Sequence, residues 1–111
     1  MVGRIKLPIR WDRTAKESLD QIYEYIFQDS HQNARKVKKE LIKLVGSLND
    51  FPEKYSREEF LEEVPGNFRS VSKWNYKVIY EVTEDSIIIV DIFQTRQHPS
   101  QISKPIQSMK K

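Results

Sequence analysis

The residues best equipped for chemistry lie between Phe68 and Pro99. Arg69, Lys73, Lys77 and Arg96 supply cations there, His98 an imidazole, and Tyr76 and Tyr80 aromatic rings with hydroxyl groups. Cations so grouped suit a phosphate or another anion. His98 is the only side chain near them whose ordinary pKa permits proton transfer close to neutrality. The two tyrosines are able to stack on a base or to donate a hydroxyl. Each residue also has a plainer account. The three early cations suit the solvent side of strands, Tyr76 and Tyr80 fall at the alternate spacing of core positions, and His98 beside Pro99 suits a loop.

Three strand-like runs must position these side chains. Val, Ile, Tyr, Phe and Trp dominate the segment, and turn candidates at Asn75 and at Glu84-Asp85 divide it into an antiparallel meander. Tyr76, Val78, Tyr80 and Val82 share one face of the middle run. Ile87 to Phe93 is apolar except for Asp91, as a central strand covered on both sides would be.

Upstream, Ile5 to Trp11 alternates as a half-buried strand, and Pro8 assigns it to a sheet edge or a bulge. Thr14 and Glu17 have the spacing of a capping box, so a helix is expected from there to about Gln28. Its apolar stripe is Ala15, Leu19, Ile22, Tyr23, Ile26 and Phe27. Asp29-Ser30 offers the cap of a second helix with a stripe of Ala34, Val37, Leu41, Leu44, Val45 and Leu48. The short connection predicts an antiparallel helical hairpin, and His31 is read as exposed. Arg35, Lys36, Lys38, Lys39 and Lys43 fall largely off the stripe and read as a solvated lysine-rich face in preference to a dedicated nucleic-acid site. Gly46 costs about 1 kcal/mol relative to Ala in a helix, which close packing against a neighbour would explain. Phe51-Pro52 ends the helix, and residues 52–66 read as an acidic loop with at most a short helical turn around Glu58 to Glu63, closed by the Pro65-Gly66-Asn67 turn.

The 111 residues are expected to form one domain, with 100–111 as a tail. The absence of cysteine excludes disulfides and thiol chemistry, and two histidines do not make a usual zinc site, so no metal or cofactor is expected. No secretory signal or membrane-length apolar run is present, which favours a cytoplasmic location without membrane contact. Residues 1–49 carry 10 Lys/Arg against 6 Asp/Glu, residues 50–66 carry 2 against 6, and residues 67–111 carry 7 against 4. Basic flanks around an acidic insert favour a positive surface on one side, fit for an anionic partner.

A strand, a capped helical hairpin and a meander ending in Arg96-Gln97-His98-Pro99 together resemble the RelE/ParE superfamily, the toxins of bacterial type II toxin-antitoxin pairs. The likeness covers nearly the whole chain. It is carried by Leu48-Asn49-Asp50-Phe51-Pro52, by Arg69 after Pro65-Gly66, by the Tyr76 to Val82 strand and by Ile92-Phe93-Gln94-Thr95-Arg96. The resemblance implies an α+β fold: a small twisted antiparallel sheet with an N-terminal strand, the helical hairpin packed on one face and the opposite face concave.

It also implies growth inhibition relieved by a cognate antitoxin, by one of two routes. One branch cleaves mRNA on the ribosome as an endoribonuclease; the other poisons DNA gyrase. For cleavage, Arg69 and Arg96 would meet the phosphate charge, Lys73 and Lys77 would support them, His98 would act as acid or base, and Tyr80 would stack or position. For gyrase, Arg96 and the C-terminal segment would be contact residues. The Phe51-Pro52 junction and the single Arg69 are closer to the gyrase-directed branch, whereas Arg96-Gln97-His98 would supply what cleavage requires. A third reading is a non-toxic protein- or nucleic-acid-binding module on the same fold.

Overall fold

Local capping chemistry sets the helical half of the molecule. The computed structural model describes residues 6–95. Strand β1 (Ile9–Trp11) leads into helix α1 (Arg13–Asp29). The cap is Asp12, whose carboxylate accepts the Thr14 amide at 3.0 Å, rather than the expected Thr14. Asp12 holds extended backbone directly after the strand, so the helix starts at once and Thr14 lies within its first turn. Ser30 ends α1 with its amide on the Ile26 carbonyl at 2.9 Å. It also begins helix α2 (His31–Gly46), its hydroxyl accepting the Asn33 amide at 3.1 Å. One residue therefore closes one helix and opens the next, and the expected hairpin follows.

Strands β2 (Phe68–Lys73), β3 (Tyr76–Val82) and β4 (Ile87–Gln94) form the expected antiparallel meander. The turn between β2 and β3 places Trp74 in the left-handed region at φ 55°, next to the predicted corner at Asn75. The sheet order is β1-β4-β3-β2. The first strand pairs parallel to β4, with Ile9 opposite Ile87 and Trp11 opposite Ile89, so the sheet is mixed rather than wholly antiparallel. A parallel partner needs a long crossover, which the hairpin and the meander supply. Pro8 sits at the edge position expected of it, and its carbonyl accepts the Ile87 amide at 2.9 Å.

The helices cover one face of the sheet. Ala15, Leu19, Leu41, Val45 and Leu48 pack there on Val78, Tyr80, Ile87, Ile89 and Ile92. The opposite face is closed as well, by Leu61 and Val64 packed on Phe68, Ile79, Val90 and Phe93. The acidic segment after α2 is thus a layer of the fold, with a 3₁₀ turn at Glu59–Leu61, and packs on the face opposite the helices. Its leucine and valine turn inward while Glu59, Glu62 and Glu63 stay in water. Both faces of β4 are consequently buried, as its apolar run predicted. Val90 is an extra residue between the Ile79–Asp91 and Tyr80–Ile89 pairs, a bulge that interrupts simple alternation. Gly46 has no atom within 4 Å of where a Cβ would stand, so close packing does not account for it.

Candidate functional site

Strand alternation and register decide where the predicted site residues point. On β2, Arg69, Val71 and Lys73 face the helices; on β3, Lys77 stands opposite Ser72 and faces the other way. The cations therefore do not gather around one phosphate. Arg69 and Lys73 lie on one side of the sheet and Lys77 on the other.

Each is engaged within the fold. Arg69 donates from Nη1 to the carbonyls of Tyr55 at 2.8 Å and Glu53 at 3.3 Å, from Nε to Asn67 Oδ1 at 3.1 Å, and its Nη2 pairs with Glu53 Oε2 at 3.4 Å. Lys73 Nζ lies 3.1 Å from Glu40 of α2 and 5.0 Å from the Trp74 ring centre. The Lys73 hydrogen bond and charge hold the Glu40 carboxyl below its usual value. Lys77 Nζ lies 3.0 Å from Glu58, whose side chain is only 1% exposed, and 5.3 Å above the Phe60 ring. Glu58 has no sequence signal as a partner of Lys77, which lies 19 positions further along the chain.

Tyr80 is fully buried among helix-side core residues and donates its hydroxyl to the Pro52 carbonyl at 3.1 Å. Burial pushes its phenol up to about 12. A ring so enclosed is not placed to stack on a base, and its role in the fold is to hold Pro52. Tyr76 is half-buried and packs against the same core. Arg96 and His98 lie outside the described residues.

Two surface depressions flank this framework. A groove of about 750 Å³ has Leu7, Phe51, Pro52 and Val82 in its wall, with Glu53 and Lys54 beside them. A second, of about 490 Å³, runs between α1 and β4 and includes Ser18, Tyr25, Tyr76 and Asp91. Asp91, which interrupts the apolar run of β4, borders this second depression. It is buried, accepts the Ser18 hydroxyl at 2.5 Å and the Ile92 amide at 2.8 Å, and burial pushes its carboxyl up. Among the described residues, no group of three or more His, Asp or Glu could hold a metal, and no helix is long and apolar enough to cross a membrane.

A sequence profile of the family described as ParE toxin of type II toxin-antitoxin system, parDE, matches residues 9–99. Among solved structures, a chain of the chromosomal ParDE TA system from P. aeruginosa is similar with a TM-score of 0.65 and 24% identity, covering 80% of this chain and 96% of that chain. That likeness is one of fold. No curated protein matches the sequence.

Proposed function

Because the chain belongs to the family of ParE toxins of type II toxin-antitoxin systems, we propose that it arrests bacterial growth by binding DNA gyrase and that a cognate antitoxin protein holds it inactive. The observation that supports this reading is that Arg69, Lys73, Lys77 and Tyr80, four of the residues assigned to cleavage, are engaged within the fold. Arg69 and Lys77 are bonded to carbonyls and carboxylates on opposite faces of the sheet, and Tyr80 is sealed in the core. Phosphoryl transfer from RNA demands cations and proton-transfer groups converging on one phosphate. Poisoning a partner enzyme demands only a binding surface. A cytoplasmic location follows from such a target.

The test is an incubation of the purified protein with gyrase and supercoiled plasmid, beside an incubation with ribosomes and message. Gyrase-dependent DNA breakage or loss of supercoiling is expected, with message intact. Cleaved message with unaffected gyrase overturns the reading in favour of the endoribonuclease. In that event, cleavage surviving the combined Arg96→Ala and His98→Ala substitutions rules these two out as catalytic. Expression without the antitoxin should stop growth; a culture that grows normally while folded protein accumulates points to the non-toxic binding module.

A further inference from the structure

The two helices carry their charge differently. α1 interleaves Arg13 and Lys16 with Glu17, Asp20, Glu24 and Asp29, the mixed pattern of an ordinary solvated face. α2 sets Arg35, Lys36, Lys38, Lys39 and Lys43 against one acid, Glu40, and that acid is ion-paired to Lys73 at 3.1 Å. At 3.6 residues per turn, Arg35, Lys39 and Lys43 follow one another along the helix, with Lys36 and Lys38 to either side. Arg35, Lys36, Lys39 and Lys43 are exposed, and none forms an ion pair among the described residues. The opposite side of α2 is held against the sheet by Leu41 and Val45, so the basic side faces solvent.

Such an arrangement works against the helix. Arg35 repels Lys38 and Lys39, Lys36 repels Lys39, and Lys39 repels Lys43 across single turns. The first turn of α2 holds no acid to offset them. A bound polyanion relieves all of these repulsions together. The composition of the face also selects the kind of anion. Protein interfaces are poor in lysine and rely on apolar anchors at their centre, and among these cations Ile42 is the one large apolar residue that is exposed. A sugar-phosphate backbone requires only exposed cations at regular spacing. From Arg35 to Lys43 the helix rises about 12 Å at 1.5 Å per residue, which spans three to four nucleotides at about 3.4 Å per strand step.

We propose that the face of Arg35, Lys36, Lys39 and Lys43 on α2 binds the backbone of duplex DNA without reading its sequence. The choice of duplex DNA rests on the proposed gyrase target, an enzyme that works on DNA; the preference for a phosphate backbone rests on the face itself. Toxin and target would then share one stretch of DNA, with α2 adding an electrostatic contact to the protein contact.

The experiment titrates the full chain into a fluorescent duplex of roughly 20 base pairs at several salt concentrations and reads anisotropy. Binding is expected to weaken with salt with a log-log slope of about −3 to −4, for four phosphates at about 0.9 each. Arg35→Ala, Lys39→Ala and Lys43→Ala together should flatten that slope by about 2 to 3 and weaken binding at about 50 mM salt at least tenfold. Lys39→Glu alone should act in the same direction, and thermal melting by circular dichroism identifies any variant that fails to fold. Absence of binding by the wild type at about 50 mM salt, or a folded triple variant with the wild-type slope, overturns the proposal. Tighter binding to an RNA duplex of equal length overturns the choice of DNA. Unchanged duplex binding with lost affinity for a polyglutamate peptide assigns the face to an acidic protein segment and also overturns it. The gyrase reading fails separately, when gyrase is unaffected by a protein that binds DNA through α2.

Discussion

Tyr80 shows how a residue suited to chemistry is claimed by the fold. Its hydroxyl is the partner of the Pro52 carbonyl, so Tyr80→Phe removes that bond and is expected to lower stability by about 1 to 2 kcal/mol, read as a lower urea midpoint, while growth arrest persists. Lost toxicity at unchanged stability would instead make Tyr80 a contact residue. Its pH dependence has a definite sign. The protonated phenol is favoured in the native state, so its contribution is complete below the ordinary 10.0 and is lost as pH rises toward about 12. The variant should lack the part of the alkaline destabilisation that falls in this window. Asp91 follows the same sign in the acid range. Burial raises its carboxyl, against the hydrogen bonds of Ser18 and the Ile92 amide, so the stabilisation from protonating it is complete below 3.8 and is lost as pH climbs through the raised native value. At neutral pH the charge is a burden that Asn would not carry, while its oxygen would still accept from Ser18. Asp91→Asn should be at least as stable as the wild type near pH 7, and the difference should shrink or reverse toward pH 4; denaturation midpoints that differ equally at both values would refute the burden.

The element with the least sequence signal, the segment between α2 and β2, is fastened at several points. Arg69 holds its carbonyls, Glu58 is paired with Lys77, and two backbone bonds, Glu58 N–H to Phe68 O at 2.9 Å and Ser70 N–H to Ser56 O at 3.2 Å, lay it along β2. The Arg57–Arg69 bridge covers that edge of the sheet, where an unpaired strand would invite another chain. Arg69→Ala should therefore cost about 2 to 3 kcal/mol and hasten hydrogen exchange at the Glu58 and Ser70 amides ahead of the helices. Uniform exchange across the molecule would show that Arg69 does not hold the segment. Gly66 turns the chain into β2 at φ 135°, and a Cβ there would stand 2.7 Å from the Phe68 ring and 2.8 Å from Glu81 Oε2. Gly66→Ala combines backbone strain with crowding and should cost roughly 2 to 4 kcal/mol, visible as a lower melting temperature; a melting temperature equal to the wild type would mean that the turn relaxes freely.

At the scale of the whole molecule, the sheet separates two apolar layers. Val45 belongs to the helix-side layer and Val64 to the layer under the acidic segment. Truncating each to Ala should cost about 1.5 to 3 kcal/mol, and the double variant should show their sum to within about 0.5 kcal/mol, since the two share no partner across the sheet. A larger coupling energy in urea denaturation would mean that the layers respond as one. The same separation distributes charge: the basic helix α2 packs on one side of the sheet and the acidic segment on the other. The lysine-rich face of α2, the proposed DNA-binding face, thereby lies across the sheet from Glu59, Glu62 and Glu63.

Periodicity and capping chemistry are local, and for that reason the amino-acid sequence alone determined both helices, their hairpin, the meander, the edge position of Pro8 and the double burial of β4. The family was legible too, because turn, cap and strand residues recur at readable spacings. Site chemistry was not. Whether Arg69, Lys73 and Lys77 converge depends on which face of the sheet each occupies and on which carboxylate or carbonyl reaches it from distant chain, as Glu58 reaches Lys77 and Pro52 reaches Tyr80. The parallel pairing of β1 and the layer formed by residues 52–66 were likewise decided by tertiary contact. The physical reason is range: hydrophobic spacing and capping act across a few residues, whereas a side chain's partner is chosen in space after the sheet has closed.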